Sequence, residues 1–242
     1  MSLPKIAVKT YTTTLPISKK RVSYRPFLVK EQKILLSAVE EVRDVEDTNQ
    51  VQSHLLKNFK NVMNSCITSS KIDLDKLSLV DFNYLFVQLR IASAGESVDV
   101  LYKCSCGTQK EVNIKLNDIK VEFPSKEVER TIPITEDVGV ILTLPSVRVT
   151  SEITQDGLTE ADKIVKVIAS SVKSIYDNEN VYETDNQTVD AILEFVESIP
   201  AEKLSEIRSF FDEVPFIQYK GKVNCPEGKE DIIIREIEDF FL

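Results

Sequence analysis

Hydrophobic residues recur with two different periods along this chain, and the switches between them divide it into segments. Ile6, Val8, Thr10 and Thr12 alternate, a turn follows at Leu15-Pro16-Ile17-Ser18-Lys19, and Arg21-Val22-Ser23-Tyr24 resumes the alternation, so residues 5–14 and 20–25 predict a hairpin. The period then lengthens. Residues 27–43 predict a helix with Leu28, Leu35, Leu36 and Val39 on one face, and Lys30, Glu31, Lys33, Glu40 and Glu41 elsewhere. Asp47 or Thr48 caps a second helix through Leu55, Leu56, Phe59, Val62 and Met63. Ser78 caps a third, residues 79–94, carrying Phe82, Leu85, Phe86, Leu89 and Ile91, with Gly95 at the position of a C-terminal glycine. This third helix is the most apolar and predicts the core.

The period drops to two at Val98, Val100 and Tyr102, and again at Val112, Ile114 and Leu116. Residues 119–123, 130–134 and 138–144 continue as strands, with Pro124 and Pro133 limiting pairing. Helical spacing returns from Arg148. A single helix is expected over 161–176, then a polar loop at Asp177-Asn178-Glu179-Asn180. Asp185 is the expected cap of a helix over 186–198, and Pro200 opens another to about 213. Residues 216–219 and 232–237 read as closing strands.

The expected fold class is α+β: a helical body with a small β module, degenerate and zinc-ribbon-like, formed by a central insert and the C-terminal strands. The segments are an N-terminal hairpin (1–25), the first half of the helical body (26–96), a β insert (97–145), the second half of the body (146–214) and a C-terminal β segment with an apolar tail (215–242).

Composition narrows the function classes. The 242 residues carry a formal net charge of -9. Binding to phosphate backbones is driven by Lys and Arg, so nucleic acid is not expected as a partner. Lys19-Lys20-Arg21 is the one basic run, and reads as a solvated turn. No apolar stretch reaches the roughly 18 residues of a membrane span. The N-terminal Met1-Ser2-Leu3-Pro4-Lys5 lacks the apolar core of a secretory signal, and the cysteine usage points to a reducing, cytosolic origin.

Catalytic constellations are thin. His54 is the sole histidine and lies inside a helix, where a surface or packing role is expected. Glycine-rich phosphate loops and a nucleophile elbow are missing from the sequence. Carboxylate pairs such as Glu40/Glu41 and Glu236/Asp239 read as solvated faces. No enzymatic activity is expected.

Four cysteines are present. Lys103-Cys104-Ser105-Cys106-Gly107 and Lys222-Val223-Asn224-Cys225-Pro226-Glu227-Gly228 are each a short turn between two β-like stretches, as in the halves of a zinc ribbon. The two turns are expected to lie side by side. Structural zinc takes four ligands, and Cys104, Cys106 and Cys225 supply three. Glu227 or water is a fourth candidate. The shortfall favours a ribbon-shaped turn without metal over bound structural zinc; a reactive cysteine would need a base or cation nearby. Cys66 reads as a small buried hydrophobe. The chain ends in Phe240-Phe241-Leu242, which either packs on the protein's own body or anchors in a partner's groove.

The segment Tyr24-Arg25-Pro26-Phe27-Leu28-Val29-Lys30-Glu31-Gln32-Lys33-Ile34-Leu35-Leu36 resembles the N-terminal signature of the T4-type bacteriophage baseplate proteins, a family of hub subunits and hub-assembly factors of contractile tails. Asp81-Phe82-Asn83-Tyr84-Leu85-Phe86-Val87-Gln88-Leu89-Arg90-Ile91-Ala92-Ser93-Ala94-Gly95-Glu96 resembles its second signature, a cysteine pair follows, and Glu238-Asp239-Phe240-Phe241 resembles its ending. The resemblance implies a structural or assembly component of the virion tail, acting on other baseplate or hub proteins, in the virion or in the host cytoplasm during assembly. The second cysteine half departs from the family's fuller pattern. The alternative is a zinc-ribbon adaptor binding nucleic acid or another partner.

Overall fold

The structure is a computed structural model that describes residues 6–69, 72–124, 128–154, 158–225 and 228–235. Strands β1 (Tyr11–Thr14) and β2 (Arg21–Tyr24) form the expected hairpin, in register Tyr11 with Tyr24 and Thr14 with Arg21. Lys19 takes the left-handed conformation in the connecting turn, at φ 56°. Lys19, Lys20 and Arg21 are all exposed.

Helix α1 (Val29–Val42) follows Pro26, and α2 (Thr48–Cys66) starts at an Asp47 cap whose carboxylate accepts the Asn49 and Gln50 N–H groups. All five apolar residues expected on one face of α2 are buried, together with Cys66. Helix α3 (Leu79–Ala94) begins at Ser78, whose hydroxyl accepts the Asp81 N–H at 3.2 Å. It ends at Gly95, where φ is 99°, a conformation that favours glycine. Phe82, Leu85, Phe86 and Leu89 are buried, so α3 is the spine of the first core as its sequence predicts. On α1 the one-sided reading needs correction. Leu36 is 57% exposed, while Glu31, assigned to the polar side, is 1% exposed.

The β module forms from residues 97–122 and the C-terminal strands as expected, but the end of the expected insert, 130–142, departs from it and joins a different sheet. Strands β3 (Ser97–Lys103) and β4 (Gln109–Lys115) form one hairpin, in register Ser97 with Lys115 through Lys103 with Gln109. Strands β10 (Phe216–Cys225) and β11 (Gly228–Ile234) form a second hairpin, and β5 (Lys120–Glu122) pairs with the start of β10. Val100, Ile114, Leu116, Ile217, Val223 and Ile232 bury their side chains in the same core as α2 and α3. The fold is α+β, with the chain's middle and its C-terminal strands meeting in one module.

A second core lies under a four-stranded antiparallel sheet in the order β6-β7-β8-β9. Its strands are β6 (Arg130–Pro133), β7 (Gly139–Leu142), β8 (Val172–Tyr176) and β9 (Val181–Glu183). Helix α4 (Val147–Ile153) leads into α5 (Glu160–Ser171); α6 (Val189–Glu197) and α7 (Leu204–Asp212) follow the sheet. Ile132, Val140, Leu142, Ile168, Val172, Ile207 and Phe210 are buried there.

Two expectations fail in this half. The single helix over 161–176 is instead α5 followed by β8. Val172 and Ile175 fit a half-buried strand as well as a helix, and the partners decide: β8 pairs on one side with β7 and on the other with β9. Asp185 is not the cap of α6. It sits in a short 3-10 turn, and the Thr188 hydroxyl caps the helix by accepting the Ala191 N–H at 3.2 Å.

Candidate functional site

Arg25 stands at the centre of the first polar node. It follows β2 and faces both α1 and the end of α2. Its guanidinium donates to Glu31 Oε1 at 2.9 Å, to the Ser65 carbonyl at 2.8 Å and to the Pro26 carbonyl at 2.9 Å. Glu31 accepts the Leu28 N–H at 2.8 Å, which closes the first turn of α1. Burial alone would raise the Glu31 carboxyl, but the Arg25 guanidinium and the Leu28 N–H outweigh it and hold the group below the usual carboxylate range. Cys66, alongside, is fully buried, and desolvation pushes its thiol up to about 11. It is the small buried hydrophobe the sequence predicts.

Asp81 forms a second node. It is fully buried at the start of α3 and accepts the Ile17 N–H at 2.8 Å and the Ser18 N–H at 2.9 Å. The hairpin tip is thereby pinned to the core helix. Ser93, near the far end of α3, accepts the Phe27 N–H at 2.8 Å. Phe27 and Phe59 each pack on Phe86, with ring centroids 6.3 and 4.4 Å away. The two sequence signatures are therefore halves of one folding unit.

The third node joins the cysteine hairpins. At the tip of the first, the Gly107 N–H donates to the Cys104 carbonyl at 2.9 Å and Gly107 adopts φ 83°. The Cys104 and Cys225 sulfurs are within bonding distance and pair as a disulfide, with Cα atoms 7.0 Å apart across 121 residues of sequence. Cys106 is a free thiol whose sulfur contacts the Thr108 hydroxyl at 3.4 Å. The sulfurs of Cys104, Cys106 and Cys225 all lie within 4.8 Å of one another. The two turns are side by side, as the sequence predicts.

Sequence reasoning missed Glu230. It lies on β11 opposite Val223, and its carboxylate reaches back across the module. It accepts the Tyr102 hydroxyl at 3.0 Å, the Ser105 N–H at 3.1 Å and the Ser105 hydroxyl at 3.3 Å. Its Oε2 also lies 3.7 Å from the Cys225 sulfur. The hydrogen bond to this carboxylate raises the Tyr102 phenol. Lys110 donates to the Asn224 carbonyl and adds a further tie between the hairpins. Nothing in the sequence separates Glu230 from the other acidic residues. Glu227, the fourth-ligand candidate, falls outside the described residues.

His54 and the Glu40/Glu41 pair are ordinary surface features. His54 Nε2 lies 2.9 Å from Glu41 Oε2 and is partly exposed, joining α2 to α1. Glu236, Asp239 and the tail residues Phe240, Phe241 and Leu242 lie outside the described residues. Of the concave regions, one of about 380 Å³ is lined by Leu56, Phe59, Phe82, Pro215, Phe216 and Arg235. Another, about 320 Å³, is lined chiefly by Val138, Ile175, Tyr176, Tyr182, Ile192 and Phe195. No described helix is long and apolar enough to cross a membrane.

These nodes define a mixed helical and β protein whose organised polar groups bracket one chain segment to another. A family model described as the T4 bacteriophage base plate protein matches residues 8–242, and the chain belongs to that family. It is a bacteriophage baseplate protein. Searches of the curated proteins and of the solved structures return no match.

Proposed function

We propose that this protein is a non-enzymatic component of the baseplate hub of a contractile-tailed bacteriophage, acting as a subunit or an assembly factor through contacts with other baseplate proteins. The family match over residues 8–242 carries this reading. The three bracketing nodes support it, because each spends its polar groups on holding segments together. The acidic balance supports protein partners over nucleic acid.

The apolar tail Phe240-Phe241-Leu242 is the proposed point of contact with a partner, in competition with packing on the protein's own body. The proposed location is the tail baseplate of the virion, or the host cytoplasm while the tail is built.

Mass spectrometry of purified mature virions, with affinity capture of the tagged chain from infected cells, tests this. Recovery of baseplate proteins on the tagged chain is expected. Its presence in virions marks a subunit, and its absence there with capture of hub proteins marks an assembly factor. Absence from both virions and baseplate intermediates would sink the proposal.

A further inference from the structure

We propose that the cysteine hairpins form a binding site for a thiolate-seeking divalent metal ion, zinc being the fit, with Cys104, Cys106 and Cys225 as sulfur ligands and the Glu230 carboxylate in the fourth position. The reading is independent of the hub assignment and rests on four observations.

First, three sulfurs from two chain segments converge within 4.8 Å of one another. Zinc–sulfur bonds of ~2.3 Å in a tetrahedron place neighbouring sulfurs ~3.8 Å apart, so the cluster is of the right size. A disulfide between Cys104 and Cys225 uses only two of the three and leaves Cys106 without a role.

Second, the Cα atoms of Cys104 and Cys225 are 7.0 Å apart. Disulfides usually span about 4.4–6.8 Å. Two sulfurs sharing an ion are further apart than two bonded ones, so a separation at the long end of the disulfide range suits a shared ion once the pair is reduced.

Third, Glu230 supplies what the cysteine count lacks. Its Oε2 is 3.7 Å from the Cys225 sulfur. An uncompensated carboxylate beside thiolates is repelled; a cation between them turns the same geometry into attraction.

Fourth, the carboxylate is already oriented. The Ser105 N–H, the Ser105 hydroxyl and the Tyr102 hydroxyl all donate to it. Metal-ligating carboxylates are held by such outer hydrogen bonds. Ser105 lies between the two cysteines of the first hairpin, so the same turn that offers two sulfurs also holds the carboxylate beside the Cys225 sulfur.

The site ties the middle of the chain to its C-terminal strands, as a structural metal does. Binding requires both hairpins to carry thiolates, so the reduced protein is the metal-binding form and releases protons as it loads.

The test uses the full chain, purified under reductant without added metal. Elemental analysis is expected to give about one zinc per chain. Exchange for cobalt(II) is expected to give the intense visible bands of a tetrahedral thiolate site. Cys106→Ser leaves a Cys104–Cys225 disulfide possible but is expected to abolish the cobalt thiolate spectrum. Glu230→Gln keeps size and shape and is expected to weaken zinc binding by at least tenfold in a chelator competition.

Zinc well below one per chain, with no cobalt uptake by the reduced protein, would overturn the site. So would a metal-free chain isolated with Cys104 and Cys225 crosslinked that takes up no metal after reduction. Unchanged affinity in Glu230→Gln, or a loss in Glu227→Gln instead, would remove Glu230 from the fourth position. The cobalt spectrum of the unsubstituted chain decides the site itself even if a variant fails to fold.

Discussion

Glu31 owes its burial to Arg25, and the pair sets a measurable pH response. Its folded carboxyl is held below the usual range. It therefore binds its proton more weakly folded than unfolded, and contributes stability above the unfolded carboxylate value of about 4.3. That contribution is lost as pH falls through the folded value. Urea midpoints from pH 7 down to pH 3 should fall in the native protein and fall less in Glu31→Gln. At pH 7 the same substitution removes the charge that pairs with Arg25, and should cost about 2–3 kcal/mol in equilibrium unfolding. Asp81→Ala orphans two backbone donors at the hairpin tip and should cost a similar amount, about 2–3 kcal/mol. Cys66 responds in the opposite sense to a reactive cysteine. With its thiol pushed up to about 11 and no exposure, it should resist alkylation at pH 8 until the protein is unfolded. Labelling followed by peptide mass spectrometry reads this directly; fast native labelling at Cys66 would contradict it.

At the scale of elements, β8 is the informative case. It is a central strand in a sheet whose neighbours come from residues 139–142 and 181–183. Ile175 pairs with Val140 on one side and Tyr182 on the other. A proline there removes a ladder hydrogen bond and cannot be accommodated in a central strand, so Ile175→Pro should cost about 3 kcal/mol or more in thermal or urea unfolding. Val181→Ala, on an exposed position of β9, should change stability by less than about 0.5 kcal/mol. A Pro variant with native stability would mean that 172–176 is not the inner strand. The helices show the contrast. Asp47, Ser78 and Gly95 were legible as boundaries because capping is a local matter of one side chain and two or three N–H groups. The cap of α6 is ambiguous in the sequence because Asp185 and Thr188 both fit the local rule, and only the 3-10 turn at Thr184–Asn186 separates them.

At the scale of the whole molecule, two cores are stitched by contacts far apart in sequence. If the cysteine module holds metal, chelation should lower the melting temperature of the reduced protein, because binding free energy for a structural metal is folding free energy. The apolar tail can be tested in the same way. Deleting Phe240, Phe241 and Leu242 removes side chains worth roughly 1.5–3 kcal/mol each when buried. A lowered melting temperature in calorimetry is expected if they pack on the protein itself. An unchanged one, with loss of baseplate partners in affinity capture, is expected if they anchor outside. A deletion that alters neither would remove both readings.

The sequence by itself determined the local grammar: which segments alternate with period two, where α2 starts, where α3 starts and stops, which residues of α3 enter the core, and that two cysteine turns belong together. Each follows from periodicity and from capping chemistry acting over a few residues. The signatures at 24–36 and 81–96 were also legible as a family pattern, though not as the Arg25–Glu31 and Asp81 brackets that they are. Only the tertiary structure decided the rest. It turned 172–176 from helix to strand, because β-branched residues take the conformation their partners offer. It buried Glu31, because a guanidinium from outside the helix neutralises it. And it brought Glu230 to the cysteines, because the register of β10 and β11, set over the length of the hairpin, fixes which acid in an acidic chain faces the module.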